Sequence, residues 1–307
     1  MVRTKKLNMN IKKMFNKKSN LILSFLLLMC LLIGFNIYKC QTYSEITQHN
    51  IDSSKIDNKL VVLHLSDLHN RTFGDYNSEL IDMSRDASPD IILLTGDLIN
   101  MDEEDTTVAV NLISNLNDIA PVYVSLGNHE VAYEQNFGIS LTEVFEDAGA
   151  VVLDREYVDI EVNNQKLRIG GIYGYCLPAK FFETGEADPE ECAFLSDFQD
   201  TERYTILMCH MPVCWMINEG LDEWDVDCVF AGHAHGGQII LPFIGGVYAP
   251  DMGLFPGRLE GVYSSKDKEK HLVLSRGLGS EGIVPRINNR PEIVVIDIVN
   301  RIKYNEK

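Results

Sequence analysis

Near the start of the chain's body, a short apolar run ends in a polar signature three times over: "LVVLHLSDLHN" (60–70), "SPDIILLTGDLIN" (88–100) and "APVYVSLGNHE" (120–130). Each run is rich in Val, Ile and Leu and bounded by turn residues. Each therefore reads as a buried strand rather than a helix. Between them, "NSELIDMSRDA" (77–87) and "TTVAVNLISNLND" (106–118) carry helical spacing. Strand, helix, strand, helix, strand is the rhythm of parallel strands with helices packed on them, which restricts the fold to the α/β class.

The second half continues in kind. "ISLTEVFEDAGA" predicts a helix closed by Gly149, followed by a strand at "VVLD". "YVDIEVNNQKLRIGGIYG" alternates around "NNQ" and predicts a hairpin. "ERYTILMCHMP" and "WDVDCVFAGHAH" are two more apolar strands, each running into histidine, and "HLVLSRGLG" and "PEIVVIDIV" close the domain. Pro189 to Phe198 shows no clear period, and no internal repeat or low-complexity segment is found. The 307 residues suffice for one large α/β domain with a sizeable core.

Residues 1–20 hold seven basic residues and no acid. "LILSFLLLMCLLIGFNIY" (21–38) follows, without a charge and close to the length that crosses a bilayer as a helix. It exceeds a typical signal core, and no small-x-small cleavage site follows it, so it reads as an uncleaved anchor. The basic flank then stays in the cytoplasm and the body lies outside. Residues 39–58 are polar and read as a spacer, leaving residues 59–307 as the folded domain.

All 45 acidic residues but only 19 of the 27 basic ones lie in residues 41–307, a net charge of −26. Such a body repels polyanions, so nucleic acid is not an expected partner. Of the seven cysteines, none shows CxxC spacing; Cys176 and Cys192 are far enough apart to pair, and most read as small buried apolar residues.

Polar residues fall in a consistent place. Asp67 and His69 follow the first strand, Asp97 the second, Asn128 and His129 the third; His210 ends a later strand, and His233 and His235 the next. In an open α/β sheet the carboxyl ends of neighbouring strands converge on one crevice. Any one of these signatures is usually a turn, but five of the chain's eight histidines fall in them, each just past a strand. Oxygen and imidazole donors without thiolate suit Mn, Fe or Zn. The donors are too many for one tetrahedral ion and suit two sharing a carboxylate.

Taken together, "SDLH", "GDLI", "GNHE", "CHMP" and "AGHAHGGQ", from Ser66 to Gln238, resemble in order and spacing the five signature segments of calcineurin-like metallophosphoesterases. The tail "SRGLGSEGIVPRINNRPEIVVIDI" resembles an anchored or exported subgroup that includes relatives of UDP-2,3-diacylglucosamine hydrolases. The resemblance implies a four-layer α/β/β/α sandwich of two mixed β-sheets. It implies that Asp67, His69 and His235 hold one metal, that Asp97 bridges, and that Asn128, His210 and His233 hold the second. It implies that His129 is no ligand but hydrogen-bonds the phosphate and protonates the leaving oxygen. Glu130 reads equally as an orienting partner of His129 or as an ordinary helix-start acid. Arg276 and Arg286, in the glycine-rich tail, are candidates for contact with substrate phosphate. His64 reads as a packed histidine.

The function implied is a membrane-anchored, two-metal phosphohydrolase acting on phosphodiesters or pyrophosphates, lipid-linked or nucleotide-sugar, through a metal-bridging hydroxide. The alternatives are a phosphomonoesterase and a metal-binding envelope protein without turnover.

Overall fold

A computed structural model of the protein describes residues 2–174, 179–186, 192–280 and 284–300. Cys176, one half of the pairing considered above, lies outside them.

Two six-stranded sheets form the body. The first contains β1 (Glu45–Asp52), β2 (Leu60–Leu65), β3 (Ile91–Thr95), β4 (Val122–Ser125), β5 (Val151–Val152) and the last strand of the chain, β15 (Glu292–Val299), in the order β1-β15-β2-β3-β4-β5. The second contains β6 (Glu156–Val162), β7 (Gln165–Ile172), β8 (Tyr204–Cys209), β9 (Cys228–Ala231), β13 (Gly261–Ser264) and β14 (His271–Leu274), in the order β13-β14-β9-β8-β7-β6. Both sheets are mixed. β2 to β5 run parallel while β15 is antiparallel to β2, and β7, β8, β9 and β14 run parallel while β6 and β13 pair antiparallel at the edges.

Alternation along the strands builds the layers. Ile91 and Leu93 face the second sheet, where they meet Leu167, Ile206, Met208, Phe230 and Val273. Ile92 and Leu94 face the other way, against Leu80 of α2 (Ser78–Ala87) and Ala109, Leu112 and Leu116 of α3 (Thr107–Asn117). On the second sheet, Leu207, Val229 and Leu272 turn outward. They are covered by α7 (Ala193–Phe198) and the short turns α8 (Val213–Met216) and α9 (Gly220–Glu223), with Phe181 of α6 (Ala179–Thr184). A period of two on strands buried on both faces thus yields three apolar interfaces, which is the four-layer sandwich. His64 sits in this core, 2.7 Å from Thr95 Oγ1 and edge-on to Phe230, and burial pushes its imidazole down to about 3.

Three features depart from the sequence reading. The expected spacer, 39–58, contains β1, which pairs in parallel with β15 over its whole length. Its polarity misled because an edge strand needs only one apolar face, and Ile51 alone is fully buried. A third small sheet, β10 (Ile240–Leu241), β11 (Gly245–Ala249) and β12 (Gly253–Gly257), was not anticipated in a glycine-rich stretch with no sustained alternation. Finally, α4 (Asn128–Phe137) begins directly on the third signature, before α5 (Leu141–Asp147). At the N-terminus, α1 (Val2–Thr42) contains Asn20–Thr42, with a mean hydropathy of 2.5, long and apolar enough to cross a membrane.

Candidate metal centre

The candidate residues meet at the seam where the carboxyl ends of β2, β3 and β4 face those of β8 and β9. Side chains stitch the seam across both sheets. The His210 Nδ1–H donates to Thr95 O at 2.6 Å, and the His233 backbone N–H donates to Asp67 Oδ1 at 2.8 Å.

The local backbone is unusual. Asp67, His69, Asp97, His233 and His235 all have positive φ, between 47° and 65°. Asp and His visit this region more readily than most residues, but each such residue still costs about 1–3 kcal/mol, and clusters of them mark sites held for function. The turn after each strand thereby aims its side chain back over the strand ends. Two glycines permit the close approach. A Cβ on Gly127 would lie 2.2 Å from Asp97 Oδ1, and one on Gly232 would lie 1.9 Å from Ser66 Oγ.

Three donor clusters result: Asp67, His69 and His235; His69, Asp97 and His129; and Asp97, His210 and His233. Within each, the donor atoms lie within 4.8 Å of one another and every residue is buried. Asp97 joins the clusters: its Oδ2 lies 3.1 Å from His210 Nε2 and 3.9 Å from His69 Nε2. Asp67 Oδ1 lies 3.7 Å from His235 Nε2.

The imidazoles are oriented by partners on their far nitrogens. His69 Nδ1 is 3.2 Å from Asn100 Oδ1, His210 Nδ1 donates to Thr95 O, and His233 Nε2 is 3.0 Å from Asp251 Oδ2. Because a carbonyl or carboxylate only accepts, a ring N–H sits on that side and the other nitrogen of these three rings faces inward. Asp67 Oδ2, His69 Nε2 and Asn128 Oδ1 are buried without a hydrogen-bond partner, and His210 Nε2 meets Asp97 outside hydrogen-bond geometry. Buried polar atoms are rarely left so. Orphaned donors of hard-oxygen and imidazole type, converging from the ends of β2, β4 and β8, fit divalent metal ions.

Electrostatics agree. Burial alone would raise the Asp97 carboxyl, but His210, His69 and His129 hold it well below the usual carboxylate range. Burial would lower His210, but Asp97 and Asp67 carry it up to about 10. Two buried carboxylates thus stay ionised in a site that calls for compensating positive charge.

His129 lies edge-on to His69, ring centroids 4.6 Å apart, and its Nδ1 accepts from the Met101 N–H at 3.3 Å, which leaves its proton on Nε2. Glu130 does not orient His129. Fully buried, it accepts from the backbone N–H groups of Asp97, Leu98 and Gly127, each at 2.7 Å, and so clamps the turn after β3 to the start of α4. The acid three residues into a helix, reaching back to the cap N–H, was legible as half a capping box; its grip on Asp97 was not. Asn100 and Asp251 were also missed. Asn100 directly follows the second signature segment, but Asp251 is in the β11–β12 turn and no local pattern marks it.

The two arginines expected to contact substrate phosphate are buried. Arg286 is fully buried and donates to Gly279 O at 2.8 Å and Arg276 O at 2.7 Å, with its Nη2 3.3 Å from His235 Nδ1. Arg276 is held by Glu292 and Glu45, each at 2.7 Å, and faces Glu260 at 3.3 Å. Both guanidiniums lie inside the body, Arg276 tying the tail to β1 and β15 and Arg286 bracing the tail's own backbone.

The model for calcineurin-like phosphoesterases matches residues 60–237, which contain every donor named above. The chain belongs to this family. It is 30% identical to the uncharacterized metallophosphoesterase YkoQ of Bacillus subtilis, covering 76% of this chain and 82% of that protein. It is 27% identical to the phosphodiesterase YaeI of Escherichia coli, covering 87% and 92%. Among solved structures, the 5'-nucleotidase precursor of Thermus thermophilus aligns with a TM-score of 0.46 at 14% identity, over 78% of this chain and 55% of its own. The protein is a metal-dependent phosphoesterase.

Proposed function

We propose that the protein hydrolyses phosphodiester or pyrophosphate bonds with two divalent ions, one held by Asp67, His69 and His235, the other by Asn128, His210 and His233, with Asp97 between them. The observation that carries this is the position of Asp97, whose Oδ2 faces His69 on one side and His210 on the other. When bound, such ions supply Lewis-acid charge to the phosphoryl oxygens and bring the pKa of water toward neutrality. The chain's own groups do the rest. Asn100, Thr95 and Asp251 hold the imidazoles in the tautomers that face inward. His129, with its proton on Nε2, donates to the phosphate and then to the leaving oxygen. The buried walls exclude bulk water, which strengthens every charge interaction at the seam.

The apolar helix is read as an uncleaved anchor with the body outside the membrane, which favours lipid-linked or nucleotide-sugar substrates over soluble polyanions. A topology reporter after Lys307 that reads cytoplasmic would overturn the orientation.

The test of activity uses the full chain in detergent, stripped of metal. Bis(p-nitrophenyl) phosphate and p-nitrophenyl phosphate are assayed side by side with Mn²⁺, Zn²⁺, Mg²⁺ or no addition. Metal-dependent cleavage of the diester, lost in Asp97→Ala, is expected. Cleavage of the monoester alone would replace this reading with a phosphomonoesterase. Metal binding without turnover on any ester would leave a metal-binding envelope protein.

A further inference from the structure

The small sheet is chemically unlike the rest of the body. Across Ile239–Gly257 there is one charged residue, Asp251, in a body whose net charge is −26. That residue is directed at His233. The apolar side chains point outward instead. Phe243 at the β10–β11 tip is fully exposed, and Leu254 and Phe255 on β12 are 70% and 57% exposed. Ile244, Tyr248 and neighbouring Val284 are about half exposed. Tyr248 and Leu254 are directly paired across β11 and β12, so they share one face. Large apolar side chains exposed together on one small sheet mark an interaction surface, whereas singly scattered ones do not.

The end of α1 shows what covers it. Asn36, inside the apolar span Asn20–Thr42, accepts at its Oδ1 from the Asn288 N–H at 2.6 Å. Asn288 Nδ2 in turn donates to Ile240 O, the first residue of β10, at 3.3 Å. Arg71 donates to Leu278 O at 3.1 Å and reaches the α1 carbonyls of Cys40 and Gln41. The last turns of the apolar helix are therefore bonded to the body and are not a loose tether. A bilayer that holds Asn20–Thr42 extends to the level of Asn36. Ile240 is tied to that level through one residue, and Phe243 follows three positions on.

We infer that the β10–β12 sheet is a second membrane contact, whose tip residues Phe243 and Ile244 and strand residues Leu254 and Phe255 enter the same bilayer that holds α1. Apolar side chains there leave water for hydrocarbon, while the acidic body stays clear of the surface. The cavity of about 310 Å³ between this sheet and the metal centre, lined by Tyr248 and Val284 at one side and Ala234 and His235 at the other, then has its mouth at the lipid surface. The inference rests on α1 being an uncleaved anchor, and its test separates the two.

The native tryptophans, Trp215 and Trp224, are buried, so an introduced tryptophan can be read as a difference from wild type. Full-length Phe243→Trp, Leu254→Trp, Phe25→Trp (on α1) and Glu269→Trp (on the distant β13–β14 turn) are each reconstituted in phosphatidylcholine vesicles with plain or brominated acyl chains. The expected result is loss of fluorescence in brominated vesicles for Phe25→Trp, Phe243→Trp and Leu254→Trp, and none for Glu269→Trp. Quenching at Phe25→Trp alone would overturn the second contact and leave the anchor standing. Quenching at the sheet without Phe25→Trp would do the reverse. Unquenched sheet variants that crosslink between chains would assign the patch to a second copy, which also overturns the proposal.

Discussion

Glu130 offers the sharpest test of how the metal centre is held. Its Oε2 accepts from the Asp97 and Gly127 N–H groups at 2.7 Å, and its Oε1 from Leu98 at 2.7 Å and Ile99 at 3.4 Å. A glutamine has one accepting oxygen, so Glu130→Gln strips one of these pairs and turns an amide N–H₂ against donors. Hydrogen bonds to a charged group contribute roughly 1.5–3 kcal/mol each, and a stranded buried donor costs about 1–3 kcal/mol. The carboxylate is itself placed unfavourably, since burial and then Asp97 push it up to about 6, and removing its charge returns part of the loss. The net destabilisation is then about 2–4 kcal/mol, or about 4–16 °C in Tm for a domain of this size. Because the same bonds position Asp97, metal affinity should fall about 10–100-fold as well. Thermal unfolding in chelator reads the first effect and metal titration the second. Glu130→Gln with unchanged Tm and unchanged metal affinity would refute the clamp. A lowered Tm with intact affinity would reduce Glu130 to an ordinary helix cap.

Other outcomes follow from the same geometry. His129→Ala should keep the wild-type metal content, by elemental analysis, yet lose turnover by about 10²–10⁴-fold, as expected for a lost proton donor; loss of metal instead would make His129 a ligand. Gly127→Ala would press a Cβ to 2.2 Å from Asp97 Oδ1 and 2.6 Å from its backbone nitrogen, so diester cleavage should be abolished and metal binding impaired together. Asp251→Ala frees His233 to rotate and, if two ions bind as proposed, should weaken one of them about 10–100-fold, seen as a biphasic metal titration. Chelation of the wild type should lower its Tm, by about 2.7 kcal/mol of lost stability if the free ion had stood at 100 times its Kd.

Much of the body was legible because its information is local. An apolar run that ends at a turn residue carries its own strand and its own stop, so β2, β3, β4, β8 and β9 and the ligand types at their ends could be read in order. The same locality explains the failures. β1 looked like a spacer because its partner, β15, is 247 residues away in sequence, from Glu45 to Glu292. Arg276 looked available to a phosphate because one of its partners, Glu45, comes from β1 at the other end of the chain.

The sequence by itself thus determined the central strands β2, β3, β4, β8 and β9, which donor groups stand at their ends and that those donors suit metal and phosphate chemistry, since periodicity and ligand type are properties of neighbouring residues. Only the tertiary structure decided that Asp97 stands between two imidazole sets, that Glu130 grips its backbone, that Asp251 aims His233, and that the tail arginines are buried. Each of these depends on which side chains two sheets bring face to face, and burial there settles whether a charged group meets a partner or a substrate.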